Sequence, residues 1–282
     1  MHAFLAQIRR AKPLVGLALF CLGIIALSLS FPTLSSESTL IDIVPDVSQI
    51  QETPVSSVHY VEIIEGCDPY LVGSCANARS APTTTAPIVA KLRSGIVLAV
   101  GTTTVIDTTG REWHEVVFNE WVRYPERIHD TWYVASEVTG PVFDIPTEEH
   151  SPATVSSTTK RILIDRSEQV LYAYDGGSLF LQASISTGLD LTPTPRGIFT
   201  VYRKTPSRYM QGPLPGISDQ YYDLPGVPWN IYFTKEGGAI HGAYWHTMFG
   251  KQWSHGCVNL PPDIAKKLYE WTPLGTTVLV QD

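Results

Sequence analysis

The chain has 282 residues and a formal net charge of −7, and 44% of its residues are hydrophobic. This length and this hydrophobic content are sufficient for two modest domains with packed cores. The lysines and arginines are scattered along the chain, which argues against nucleic acid as a partner. Charged residues make up only 17%, whereas Thr, Ser, Pro and Gly are plentiful. We therefore expect a mainly β protein.

Residues 1–31 are predicted to form a cytoplasmic tip and a membrane anchor. Arg9, Arg10 and Lys12 precede an uncharged apolar stretch over 14–31. A helix of this length would extend roughly 27 Å, close to the hydrocarbon thickness of a bilayer. The basic flank should stay in the cytoplasm, so we expect a single-pass protein of the cell membrane whose other residues lie on the extracytoplasmic side. Secretion after signal cleavage is the alternative, although no small-x-small cleavage site follows.

The cysteines agree with export. Cys21 falls within the apolar stretch, and Cys67 and Cys75 flank a turn-rich loop that a disulfide could close in an oxidising compartment. A metal site is the alternative for this pair, but no histidine or further cysteine lies nearby at a suitable spacing. We expect neither metal nor cofactor. Cys257 is then the one exported thiol without an assigned use.

The remaining chain divides into four segments by its composition. Residues 32–57 are rich in Ser, Thr, Pro and acidic residues and are predicted to be a stalk. Short β-type runs joined by turns fill 58–142 and indicate a small barrel. A second linker over 143–159 precedes a domain over 160–282, in which one helix is predicted at 262–271. The predicted strands are 60–64, 88–92, 96–100, 113–118, 131–135, 161–165, 169–174 and 180–186.

A cysteine nucleophile needs a base, because little of an ordinary thiol is ionised at neutral pH. His241 lies sixteen residues before Cys257 and follows a β-type run, so a strand would hold it rigidly. Attack on an amide carbonyl also needs hydrogen-bond donors for the developing oxyanion. Gly256 permits a sharp turn on which the backbone amides of His255, Gly256 and Cys257 could meet one oxygen.

The pair His241-Gly242 followed by Ser-His-Gly-Cys-Val-Asn at 254–259 resembles the catalytic signature of the L,D-transpeptidases, the YkuD-type domain. Residues 192–199, Thr-Pro-Thr-Pro-Arg-Gly-Ile-Phe, resemble another segment of that family. The resemblance covers roughly residues 160–282 and implies a β-sandwich-like catalytic domain. It implies that Cys257 attacks the stem tetrapeptide of peptidoglycan, releases the terminal D-alanine and forms a thioester. An amine of a neighbouring stem then resolves the thioester as a 3→3 cross-link.

The same resemblance implies roles for further residues. His241 is the base, and Trp245 and Asn259 line the donor pocket. Ser254 and His246 are further candidates for substrate binding. His246 has three open interpretations, since it could orient His241, touch substrate or only pack. Carbapenem-type inhibitors are expected to acylate the cysteine. The Gly- and Pro-rich residues 209–216 are predicted to form an ordinary turn, with a substrate-covering loop as the alternative.

The region 58–142 resembles a bacterial SH3-like domain in the segments 77–82, 91–95, 113–117 and 131–134. Such domains bind cell-wall peptide or position a catalytic partner. Its tryptophans could form an aromatic groove or belong to the core, and the core is the more frequent role. An insert over 119–130 departs from the compact pattern of that family.

Two other classes of protein compete with a transpeptidase. NlpC-type cell-wall hydrolases also join SH3-like modules to a catalytic cysteine and histidine, but they place the cysteine first, whereas His241 precedes Cys257 here. A non-enzymatic wall-binding module would carry an inert thiol. A transpeptidase fold could also act as an L,D-carboxypeptidase, with water resolving the thioester, or could attach proteins to the wall.

Overall fold

A computed structural model describes residues 57–118, 122–146, 159–214 and 218–282. All of them belong to one compact unit, Glu52–Asp282. The predicted anchor, nearly all of the stalk and residues 147–158 of the second linker lie outside the described residues. Across the four described ranges, no helix is both long and apolar enough to cross a bilayer.

The N-terminal part is an antiparallel sheet of seven strands. In chain order they are β1 (Ser57–Glu62), β2 (Ala76–Arg79), β3 (Ile88–Leu92), β4 (Val97–Ile106), β5 (Glu112–Val116), β6 (Trp132–Ala135) and β7 (Phe143–Pro146). Their order across the sheet is β3-β2-β6-β5-β4-β1-β7. Trp113 and Trp132 are buried, so these two side chains belong to the core rather than to an exposed groove. Trp121 lies outside the described residues.

Strands β2 and β7 were not evident in the sequence. β7 falls inside the predicted linker 143–159, yet it pairs with β1 and places Phe143 opposite Tyr60. The Phe143 ring stacks on Tyr60 and on Trp229, with centroids 5.7 and 5.6 Å away. Because this pairing joins residues far apart in the chain, nothing in the local composition indicates it. Residues 143–146 therefore belong to this sheet and not to the predicted linker.

The C-terminal part holds two further sheets and one helix. The elements are β8 (Lys160–Asp165), β9 (Val170–Asp175), β10 (Ser178–Ser184), β11 (Gly197–Thr200), β12 (Arg203–Leu214), β13 (Ser218–Tyr232), β14 (Ala239–Gly242), β15 (Val258–Leu260), α1 (Pro262–Trp271) and β16 (Thr277–Gln281). The sheets have the orders β10-β9-β8-β16-β11 and β12-β13-β14-β15. Helix α1 has its predicted bounds and buries Ala265, Leu268 and Tyr269 at helical spacing. The prediction of a mainly β fold with a helix near its C-terminal end is confirmed.

The turn predicted over 209–216 is wrong, because most of these residues belong to a long hairpin formed by β12 and β13. Gly212 leaves room for the Tyr222 side chain of the facing strand, whose hydroxyl would lie 2.8 Å from a Cβ at that position. The hairpin also rests on the N-terminal sheet, where Ser207 Oγ donates to the Val97 carbonyl at 2.5 Å. Gly226 has φ +62° and lies against β4 so closely that a Cβ would collide with that carbonyl.

Residues of the predicted insert, 119–130, also contact this hairpin. The Arg127 guanidinium pairs with the Asp223 carboxylate, which also accepts a hydrogen bond from Gln211 at 3.0 Å. The Tyr124 amide donates to Gln211 Oε1 at 3.1 Å. The two parts of the chain therefore meet through packed side chains and through a polar network on the hairpin.

Cys67 and Cys75 form a disulfide that closes a short loop. Asp68 Oδ1 accepts the amides of Tyr70 and Val72 inside the loop, at 2.9 and 2.7 Å. Closing a loop of this size removes conformations from the unfolded chain, so the bond is expected to stabilise the fold by about 2–3 kcal/mol.

Replacing both cysteines by serine should lower the free energy of unfolding by that amount in urea titrations. A reductant should destabilise the wild-type chain to the same extent and leave the double variant unaffected. Equal stability of the oxidised wild type and the double variant would contradict the prediction.

Candidate active site

Two neighbouring parallel strands position the predicted nucleophile and base. β14 carries His241, and β15 begins directly after Cys257. The register pairs Ile240 with Val258 and His241 with Asn259. Side chains alternate between the two faces of a strand, so the paired residues His241 and Asn259 share one face. Cys257 lies two residues before Asn259, the spacing that returns to the same face of an extended chain. The fold thus brings two segments that are sixteen residues apart in the sequence to neighbouring strands.

His241 is fixed as a neutral base. The side chain is buried, and Nδ1 lies 3.0 Å from the Gly242 carbonyl, to which it donates when it carries the proton. Burial lowers the pKa of His241 to about 4, although the hydrogen bond to Gly242 opposes the shift. The imidazole is therefore uncharged near neutral pH, and Nε2 keeps a lone pair that can accept a proton.

Cys257 is half-buried, and its thiol is protonated near neutral pH. Burial raises the pKa of the Cys257 thiol; the nearby Ala239 amide and the Arg208 charge oppose this shift. The sulfur lies 4.0 Å from the Gly237 carbonyl. The site thus contains a neutral thiol and a neutral imidazole, so proton transfer to His241 has to accompany attack by the sulfur.

The turn before Cys257 offers fewer oxyanion donors than predicted. Gly256 adopts φ +118°, a conformation that side chains disfavour. Its amide donates to Ser254 Oγ at 3.1 Å, so this predicted donor is already used within the turn. Among the residues that the structure describes, no acceptor receives the amides of His255 or Cys257. These two amides remain available for an oxyanion.

Several residues predicted to contact substrate are instead internal. Ser254 is 4% exposed and bonds both the Gly256 amide and the Cys257 carbonyl, so it shapes the turn. Asn259 is 1% exposed, and its Nδ2 lies 2.9 Å from His246 Nε2. The other ring nitrogen of His246 accepts the Met248 amide at 3.1 Å. The structure therefore favours a packing role for His246 over direct contact with substrate.

Trp245 and His255 occupy the borders of the site. The half-buried Trp245 ring lies 5.8 Å from the His241 ring, tilted by 33°. His255 is exposed, and its ring stacks on Tyr222 of the hairpin at 5.8 Å. Sequence reasoning missed Tyr222, because the residue reaches the site only through the hairpin. It also missed Arg208, whose Nη1 lies 3.2 Å from the Tyr232 hydroxyl. No cluster of three or more His, Cys, Asp or Glu in the described ranges could hold a metal ion.

The pH dependence of the reaction should reflect the two neutral groups. Because the pKa of His241 is about 4, kcat/KM is expected to stay level down to about pH 5 and to fall about tenfold per pH unit below pH 4. Alkylation of Cys257 by iodoacetamide should instead accelerate as pH rises, with a midpoint above that of an ordinary thiol. Fast alkylation at pH 5 would indicate a preformed thiolate and contradict this assignment.

The site combines the Cys257 thiol, the neutral His241 imidazole and the unpaired amides of the turn before Cys257. These are the groups that a cysteine site for acyl transfer needs. Residues 159–280 match the family model of YkuD, the L,D-transpeptidase catalytic domain. This segment is accordingly a YkuD-type L,D-transpeptidase catalytic domain. A protein of Bacillus licheniformis that carries the same family name is 27% identical over 123 residues.

Two solved structures of Enterococcus faecium L,D-transpeptidase are each 30% identical to this chain. One is a crystal structure that covers 44% of this chain and 50% of its own, with a TM-score of 0.40. The other is the catalytic domain acylated by ertapenem, which covers 45% and 99%, with a TM-score of 0.39. The match with the Bacillus relative covers 43% of this chain and 64% of that protein. The chain thus spans about half to two thirds of the full-length relatives.

Proposed function

We propose that this chain is a peptidoglycan L,D-transpeptidase that forms 3→3 cross-links through a thioester on Cys257. The observation that carries the proposal is that His241, buried and neutral, lies on β14, while Cys257 immediately precedes β15, the parallel neighbour of β14 in the YkuD-type domain. The order of the two residues along the chain supports it against an NlpC-type hydrolase, which has the reverse order.

The proposed reaction has two acyl-transfer steps. In the first, Cys257 Sγ forms a bond to the carbonyl carbon of the third stem residue while His241 Nε2 takes the thiol proton. The bond to the terminal D-alanine then breaks, and its nitrogen receives that proton. In the second step, an amine of another stem attacks the thioester and gives a proton to His241. The S–C bond breaks, and the proton returns to sulfur.

The test is intact-mass analysis of the extracytoplasmic portion after mixing with a disaccharide-tetrapeptide. The mass should increase by the donor minus D-alanine, and addition of a second stem that carries a free amine should remove the adduct as a cross-linked dimer. Cys257→Ala should form no adduct. Loss of the adduct to water alone would identify a carboxypeptidase, whereas no adduct together with unchanged muropeptides would point to the wall-binding alternative.

The same proposal includes inhibition by carbapenems. One of the Enterococcus structures is described as acylated by ertapenem, and the half-buried Cys257 offers the same type of nucleophile here. Incubation with ertapenem should add one inhibitor mass to the wild-type chain and none to Cys257→Ala.

We further propose that residues 14–31 anchor the protein in the cell membrane and that the N-terminal sheet is an SH3-like module. The apolar stretch supports the anchor, and the succession of short antiparallel strands supports the module. Membrane fractionation of the full chain tests the anchor: the protein should resist carbonate extraction, and a chain lacking residues 1–31 should be soluble. Pull-down with isolated peptidoglycan tests whether the module binds the wall.

A further inference from the structure

Thr194 lies directly behind the turn that carries the nucleophile. Its side chain is fully buried, and its hydroxyl accepts the Gly188 amide and donates to the Gly256 carbonyl, both at 2.9 Å. The hydroxyl has a single hydrogen to donate, and it uses this hydrogen in the bond to the Gly256 carbonyl. Gly188 lies so close that a Cβ there would be 3.0 Å from Gly256 Cα. Gly188 and Thr194 are therefore packed directly against the turn at Gly256.

The hydrogen bond from Thr194 to the Gly256 carbonyl also fixes the direction of the Cys257 amide. The peptide unit between Gly256 and Cys257 is planar and trans, so its C=O and its N–H point in opposite directions. Since the carbonyl points at the buried Thr194, the Cys257 N–H points away from it. Within the described ranges this amide has no acceptor, whereas the preceding one is held by Ser254.

We propose that Thr194 is a positioning residue that aims the Cys257 amide at the oxyanion formed during acylation. The proposal rests on acyl transfer at Cys257 and assigns this amide as a principal donor. When sulfur bonds to the carbonyl carbon, the π electron pair moves onto oxygen, and the aimed N–H stabilises that charge. When the intermediate collapses, the pair returns to the carbonyl as the bond to the leaving group breaks. Thr194 touches neither substrate nor sulfur in this scheme.

The geometry explains why a hydroxyl is needed at this position. Without it, the Gly256 carbonyl and the buried Gly188 amide would each lose a hydrogen-bond partner, and the peptide would be free to rotate toward other donors. Gly256 permits that rotation because it has no side chain and already adopts φ +118°. An amide that turns away from the oxyanion is lost as a donor, and losing one such donor typically slows turnover about 10²- to 10³-fold.

Thr194→Val tests this role, because valine keeps the shape of threonine and removes the hydroxyl. The first probe is p-nitrophenyl acetate, which acylates a thiol through an oxyanion without needing a stem peptide. The second is iodoacetamide, which reacts by direct displacement and forms no oxyanion. The variant should acylate about 10- to 100-fold more slowly with the ester and should alkylate within about twofold of the wild-type rate, given an unchanged nucleophile.

Thr194→Ser is the matched control, since it retains the hydroxyl and should acylate within about threefold of wild type. Equal acylation by the valine variant and wild type would overturn the proposal, and so would an equal loss in both reactions, which signals a general distortion of the site. If thermal melting shows that the valine variant does not fold, Thr194→Ala removes the same hydroxyl with less crowding and is judged by the same two rates.

The stem tetrapeptide separates this inference from the proposed function. If wild type reacts with the ester but never with the tetrapeptide, the transpeptidase assignment fails, while the ester rates still decide the role of Thr194. If wild type reacts with both, the valine variant should be slowed on both substrates.

Discussion

Replacing His241 by asparagine is expected to lower the rate of acylation by a stem tetrapeptide about 10²- to 10⁴-fold at neutral pH, the usual contribution of a positioned general base. Asparagine can still offer an N–H to the Gly242 carbonyl, which lies 3.0 Å from Nδ1 in the native site, but it has no counterpart of Nε2. The thiol is protonated at rest, so the sulfur would have to lose its proton to solvent instead. Intact-mass kinetics of adduct formation measure the effect.

The pH dependence separates loss of the base from loss of structure. Above the raised pKa of Cys257 the thiolate forms without help, so the difference between His241→Asn and wild type should shrink as pH increases. His255→Asn is the matched comparison, because His255 lies only two residues before the nucleophile but its ring stacks on Tyr222 at the surface. A larger loss for His255→Asn than for His241→Asn would show that the base has been assigned to the wrong histidine.

Gly256→Ala is expected to slow acylation by at least about 10²-fold, comparable to the loss of an oxyanion donor. The nearest atom to an added Cβ, the Thr192 carbonyl oxygen, is 3.6 Å away, so space is adequate. The obstacle is φ +118°, which alanine adopts only under strain. Relief of that strain would rotate the turn and misdirect the amide of Cys257.

Gly250→Ala is the matched control for this substitution. Gly250 lies in the same connection between β14 and β15 and adopts φ +91°, and no atom lies within 4 Å of the position that a Cβ would take there. Both variants should therefore lose some stability in thermal melts, because both strain the backbone. Only Gly256→Ala should lose acylation activity. Similar acylation rates for the two variants would show that the turn at Gly256 tolerates rearrangement.

The amino-acid sequence determined the locally encoded parts of this protein. Helix α1 has its predicted bounds because Pro262 begins it and apolar residues recur at helical spacing. Most short strands were visible as β-type runs between turn residues. The proposed nucleophile and base, Cys257 and His241, were also visible, because they belong to a motif whose order and spacing are specific. A disulfide between Cys67 and Cys75 could be anticipated from their short separation and the inferred compartment.

The tertiary structure decided what each of these residues contacts. Residues 209–216 look like a turn because Gly and Pro are frequent there, yet pairing with β13 and support from β4 make most of them a strand. Ser254 and Asn259 were predicted to line the pocket but are buried and bonded internally. Thr194 lies 62 residues from the Gly256 carbonyl that it holds. Hydrogen bonds of this kind depend on the relative placement of distant segments, which packing of the whole fold sets and no local pattern records.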